Sequence, residues 1–282
     1  MSEPKILLTG LAIGESPRWH DDRLWLANWG TGEIVAVGLT GESEVMARVP
    51  AVLPYSLDWL PDGRLLVISG PDGVLLAEGP GGALTTYADL TGHGKMFNEL
   101  VVDDRGNAYV NGGVFDPRAA DQFTPGNIVL VTPDGSVRQV ADDIAFGNGM
   151  VVTPDGSTLI IAESYANRLT AFSIAPDGDL HDRRTWADLG SGVPDGICLD
   201  AEGAVWYADV PNQRCVRVAA GGEVLQTVEV DRGAFACMLG GPDGRTLFIL
   251  AAEWHGMDGI DPAARTGQVR TVPAPSPAAG HP

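Results

Sequence analysis

Apolar and polar positions alternate along this chain in short bursts. Runs of Val, Leu, Ile, Trp and Tyr are cut by PDG, DDRG and AEG, and no 3.6-residue apolar period lasts long enough for a major helix. Six segments repeat one form, apolar strand, tight turn, apolar strand: SPRWHDDRLWLANW, SLDWLPDGRLLVISG, ELVVDDRGNAYVNG, GMVVTPDGSTLIIAES, GICLDAEGAVWYADV and CMLGGPDGRTLFILAAE. Their turn residues, Arg23, Gly63, Gly106, Gly156, Gly203 and Gly244, lie 40, 43, 50, 47 and 41 residues apart. That is the length of a propeller blade, and each period has room for four strands. The pattern predicts an all-β fold, a six-bladed β-propeller of four-stranded antiparallel blades around a central channel. The early run KILLTG and the late run GQVRTV are expected to complete the last blade together. One domain is expected over 1–272. The proline- and alanine-rich stretch 273–282 reads as a loose tail.

Composition narrows the partners. With 18 basic against 37 acidic residues the net charge is −19, which repels phosphate backbones and anionic lipid heads. Neither nucleic acid nor a membrane is an expected partner; the charge reads first as solubility. Cys198, Cys215 and Cys237 show no CxxC spacing, and MSEPKILLTG is too polar for a signal peptide. A reduced, cytoplasmic protein is expected, as a monomer or weak homo-oligomer.

The stretch FGNGMVV sets one amide, Asn148, between two glycines at the mouth of an apolar strand. Counting eight residues back from each turn anchor gives Glu15, Tyr55, Asn98, Asn148, Asp195 and Ala236. In a propeller these inner-strand starts form a ring near the axis at one end. A single Asn or Asp at a strand start is ordinarily a turn former. Four oxygen-bearing side chains in one register, two carboxylates and two amides, instead suit a hard divalent cation.

GESPRW around Glu15, FNELVVDDRG around Asn98, FGNGMVVTPDG around Asn148 and VPDGICLDAEG around Asp195 occur in order and at blade spacing. Together they resemble the regucalcin/gluconolactonase (senescence marker protein) family of six-bladed β-propeller lactonases. The resemblance implies one divalent cation held by Glu15, Asn98, Asn148 and Asp195, Ca²⁺ first, with Mg²⁺, Mn²⁺, Zn²⁺ or Fe²⁺ as alternatives. It also implies hydrolysis of a lactone, with Asp195 as both ligand and base. Where sugar-lactonase members often carry Arg and Asp around the first Asn, this chain has Met96 and Glu99. The resemblance therefore supports the cation more firmly than a sugar substrate. Asn98, Glu99 and Met96 are the substrate-side candidates, joined by Asp116 from the turn-rich connection NGGVFDPRAADQFTPGN, whose Phe115, Arg118 and Phe123 could also cover the pocket.

Other designs fit less well. GESPR ends in Arg18 where a nucleophile elbow needs Gly, GPGG lacks the Lys-Ser/Thr of a phosphate loop, and the five histidines are scattered. Two alternatives stay open: a metal-stabilised propeller that binds a small molecule without turnover, and an esterase for non-sugar esters. The second-strand ends Asn28, Asn111, Glu163, Asp209 and Glu253 are expected as solvated residues at the rim. Trp29 and Trp254 are expected to pack between blades.

Overall fold

The computed structural model describes residues 3–51, 53–113, 123–256, 261 and 263–281, and these form six four-stranded antiparallel sheets. The chain enters through β1 (Lys5–Leu11) and then winds blade by blade. Blade 1 is β2 (Ile13–His20), β3 (Arg23–Trp29), β4 (Glu33–Val37) and β5 (Ser43–Arg48). Blade 2 is β6 (Tyr55–Trp59), β7 (Leu65–Ser69), β8 (Val74–Glu78) and β9 (Leu84–Asp89). Blade 3 follows with β10 (Met96–Val102), β11 (Ala108–Gly113), β12 (Gly126–Val131) and β13 (Val137–Ile144). Blade 4 is β14 (Gly147–Val152), β15 (Thr158–Glu163), β16 (Arg168–Ile174) and β17 (Leu180–Asp188). Blade 5 is β18 (Pro194–Leu199), β19 (Val205–Asp209), β20 (Arg214–Val218) and β21 (Val224–Glu229). Blade 6 has β22 (Gly233–Gly240), β23 (Thr246–Ala252) and β24 (Gly267–Pro273), and takes β1 as its outer strand. Lys5 lies opposite Thr271, so KILLTG and GQVRTV close the ring as the pattern predicts.

Turn chemistry sets the inner hairpins. Gly63, Gly106, Gly156, Gly203 and Gly244 all hold positive φ, which the turn needs and a Cβ would oppose. Blade 1 turns on Asp21 (φ 48) and Asp22 (φ 57), with His20 facing Arg23. Its two-residue loop explains why that anchor is not a glycine.

Apolar faces of neighbouring blades meet as successive cores. Trp25 and Ile34 pack with Tyr55 and Leu57, Leu66 and Ile68 with Leu100 and Val110, and Val151 and Ile160 with Ile197 and Tyr207. Leu24 and Leu26 meet Phe248 and Leu250 across the closure. The inner strands are buried on both faces and read as near-continuous apolar runs, as in Leu65–Ser69, while outer strands such as Ser43–Arg48 are mostly exposed.

The C-terminal stretch departs from the loose tail its composition suggests. Ala274 N–H donates to Arg245 O, Ala278 N–H to Gly244 O, and Ala279 N–H to Leu199 O; Pro277 O accepts from Ala201, and His281 exchanges both backbone bonds with Val152. Ser276 is buried, and His281 lies 3.0 Å from Asp104. The segment thus spans the ends of the inner hairpins of blades 6, 5, 4 and 3, away from the end where Glu15, Asn98, Asn148 and Asp195 lie. Prolines do not prevent this, because the contacts use the carbonyls and the N–H groups of intervening residues.

Candidate metal centre

A local irregularity aims the candidate ligands. Pairing of β10 with β11 skips from Phe97 to Leu100, β14 with β15 from Gly147 to Met150, and β18 with β19 from Pro194 to Ile197. The residues skipped include Asn98, Asn148 and Asp195. In blade 1 the break falls between Glu15 and Arg18, where Ser16 takes a left-handed φ of 47°. A bulge frees side chains from the alternation of the ladder and turns them, here toward the axis.

The glycines of GNG and PDG make room for this. A Cβ on Gly149 would stand 2.5 Å from Ile197 N and 2.9 Å from Asp195 O; one on Gly196 would stand 2.6 Å from the Ala236 Cβ. Inner strands therefore approach more closely than side chains permit, which draws Asn148 and Asp195 together. Asn111, at the end of β11, donates from Nδ2 to Asn148 O at 2.6 Å, and Asn98 Nδ2 donates to Gly147 O at 3.2 Å. Asn98 and Asn111 of blade 3 are thus both tied to the start of β14.

Glu15 is raised well above the usual carboxylate range by burial, then by the charges of Asp195 and Glu99, against a weaker pull from the Ser16 N–H. Asp195 is likewise raised by burial and by Glu99, with hydrogen bonds from Asn148 and the Gly196 N–H opposing. Two desolvated carboxylates that repel one another are costly alone. The Asp195 Oδ1 is buried with no hydrogen-bond partner. Among the described residues no three of His, Cys, Asp and Glu gather in a metal-binding geometry, so a cation here would rest on two carboxylates and two amides. That oxygen-only donor set, with an orphaned carboxylate oxygen, fits a hard divalent ion.

Beneath these residues lies a charged layer that the sequence reading missed. Glu99 is buried and accepts from Ser16 Oγ at 2.8 Å, from Arg18 Nη2 at 3.1 Å and from Ser56 Oγ. Arg18, also buried, donates to Leu100 O at 2.7 Å and lies 3.7 Å from Asp58, which accepts the Val102 N–H. Glu99, expected on the substrate side, is therefore taken up by its own partners as a counter-charge below the ring. The only signal was SPR directly after Glu15. Tyr55 also departs from its register position: its hydroxyl donates toward Asn28 O and Glu33 O between blades, while Ser56 reaches the channel. Blade 2 has no bulge to turn Tyr55 inward.

Met96 starts β10 at the same end, opposite Gly113, and is buried. Phe115, Asp116 and Arg118 lie outside the described residues; Phe123 stands 5.0 Å from Tyr165. The second-strand ends expected in solvent are mostly buried latches. Asn28 Oδ1 accepts the Ala12 N–H, Glu163 binds Arg168, Arg183 and the Ala145 N–H, and Asp209 binds Arg214 and Asn212. Glu253 alone of the five is exposed. The three cysteines are buried free thiols. Among the described residues no helix is long and apolar enough to cross a membrane.

The sequence model of the SMP-30/gluconolactonase/LRE-like region matches residues 13–253. Regucalcin of Danio rerio is 30% identical over 87% of this chain and 84% of its own. A luciferin-regenerating enzyme has a similar structure, with a TM-score of 0.82 at 18% identity over 96% of this chain and 95% of that one. So does a calcium-binding regucalcin of Agrobacterium tumefaciens, with a TM-score of 0.79 at 22% identity over 99% and 95%.

Proposed function

The chain belongs to the SMP-30/gluconolactonase/LRE-like family, and on that premise we propose that it is a metal-dependent hydrolase that opens lactones. The observation that carries this reading is the buried, unpartnered Asp195 Oδ1 on a carboxylate whose charge acts on the buried Glu15. Glu15, Asn98, Asn148 and Asp195 would hold one divalent cation, Ca²⁺ by the family's calcium-binding relative, which when bound supplies Lewis-acid stabilisation of the carbonyl oxygen and acidifies water.

The protein's own groups supply the proton transfers. Asp195 serves as both ligand and base: its proton affinity is lowered by a bound cation, so it takes up a proton as its hold on the cation loosens when substrate arrives. Water adds its oxygen to the lactone carbonyl carbon and gives a proton to Asp195 Oδ1. The ring C–O bond then breaks, and the same proton passes to the departing alkoxide, leaving a hydroxy acid. Asn111 and Glu99 position rather than react: Asn111 holds the Asn148 backbone, and Glu99 keeps Arg18 out of the ring by pairing with it below.

The test is hydrolysis of a lactone panel by chelator-stripped protein, followed with a pH indicator, as Ca²⁺, Mg²⁺, Mn²⁺, Zn²⁺ and Fe²⁺ are restored separately. Turnover that returns with a cation supports the reading. Cation binding without turnover on any lactone or ester would favour a propeller that binds a small molecule without catalysis.

A further inference from the structure

The walls above the ring differ in chemistry from the ring itself. Blade 6 has the same break in pairing as the ligand-bearing blades, between Ala234 and Ala236, but the residue it frees is Phe235. Phe235 meets Trp254 edge-on at 5.7 Å and packs with Ile13, Val210, Ala252 and Trp29. Ile13 lies two residues from Glu15, so this apolar cluster adjoins the cation site.

Blade 4 builds a second aromatic wall. Phe146, two residues before Asn148, takes a left-handed φ of 58°. A bulky residue seldom adopts that conformation, and its persistence here argues for what the ring does. The Phe146 ring stacks on Tyr165 at 4.6 Å and 12°, and Phe123 follows at 5.0 Å. Backbone bonds pin the stack to the hairpin that carries Asn148: Ser164 N–H donates to Phe146 O and Tyr165 N–H to Ala145 O. Tyr165 is nevertheless 51% exposed and Phe123 37%. Ordered aromatic surface left open beside a polar centre marks a place for an apolar ligand.

We infer that the substrate of this centre is a weakly hydroxylated lactone carrying a hydrocarbon arm, held against the Phe146–Tyr165 stack and the half-buried Trp254 that covers Phe235. This rests on the lactonase reading and specifies it. A sugar lactone would press several hydroxyls against carbon, where each loses water without gaining a partner. A hydrocarbon arm gains about fourfold in affinity for each methylene it buries.

The test compares two probes of one ring size on the calcium-loaded full chain. One measurement is kcat/KM for δ-decalactone against glucono-δ-lactone. The other is the Kd of the matching non-hydrolysable lactams, the alkyl δ-lactam and gluconolactam. The alkyl member is expected to be favoured by about tenfold or more in both. Tyr165→Ser, and Phe146→Asn, which keeps the left-handed backbone accessible, are each expected to shrink that ratio by about fivefold. Equal or tighter binding of gluconolactam, or ratios unchanged in both variants, would overturn the inference. Tight binding of the alkyl lactam with turnover of neither lactone would uphold the aromatic walls as the site of an apolar ligand and sink the lactonase reading instead.

Discussion

Gly149 is where the approach of two inner strands can be tested with one methyl group. In Gly149→Ala the new Cβ would lie 2.5 Å from Ile197 N, 2.9 Å from Asp195 O and 2.9 Å from Gly196 Cα. All three are backbone atoms, so no side chain can rotate away. Ordinary contact begins near 3.4 Å, and β14 and β18 must part by about 1 Å to reach it. Overpacking of this kind costs about 3 kcal/mol, the upper end of its usual range. For a domain of this length that lowers Tm by about 5 °C. Because the displaced atoms carry Asn148 and Asp195, Ca²⁺ affinity should fall at least about tenfold, since sites tolerate only about 0.5 Å of misplacement. Gly156→Ala is the control: it has positive φ but nothing within 4 Å of the new Cβ. It should cost about 1–2 kcal/mol from the left-handed backbone alone, with Ca²⁺ affinity intact. Differential scanning calorimetry and isothermal titration calorimetry on both variants decide the matter. A Gly149→Ala protein that melts and binds Ca²⁺ like the parent would refute the close approach as the device that builds the site.

Three further outcomes are expected. Arg18→Met strands the Glu99 and Asp58 carboxylates in the channel and should cost about 3–5 kcal/mol in chemical denaturation; adding Glu99→Gln should restore part of it. In the chelator-stripped protein Glu15 and Asp195 bind protons more tightly folded than unfolded. Their contribution is therefore present in acid and lost as pH rises above the ordinary carboxylate value of about 4. Thermal melts should show the stripped protein losing stability across that rise, and saturating Ca²⁺ should flatten the profile. A chain ending at Pro273 gives up six backbone hydrogen bonds to blades 4–6 and the His281–Asp104 contact to blade 3. It should be less stable by about 1–3 kcal/mol while keeping its Ca²⁺ affinity, as read by melting and titration calorimetry.

Much of this architecture is written locally. Gly156 and Gly203 mark tight turns wherever they fall, and apolar runs on either side of them become the inner strands, so blade number and closure follow from spacing. The register of Glu15, Asn98, Asn148 and Asp195 was legible for the same reason. What depends on contacts between distant residues was not. Glu99 meets Arg18 across 81 positions of sequence, and nothing near either one announces the other. Tyr55 occupies a ring position by count, yet blade 2 lacks the bulge, and an offset of one residue turns Tyr55 between blades and Ser56 into the channel. Glu163 and Asp209 look like solvated strand ends, but arginines on the neighbouring strands, Arg168 and Arg214, draw them into buried pairs. The stretch 274–281 has the composition of a tail, and its order comes from backbone hydrogen bonds that composition does not record.

Everything proposed for the channel depends on a cation held by Glu15, Asn98, Asn148 and Asp195. Titration calorimetry of Ca²⁺ into chelator-stripped protein, and into Asp195→Ala, measures it. One Ca²⁺ per chain, with affinity weakened at least about 100-fold in the variant, is the predicted result. No binding by the parent, or equal affinity in Asp195→Ala, would contradict it.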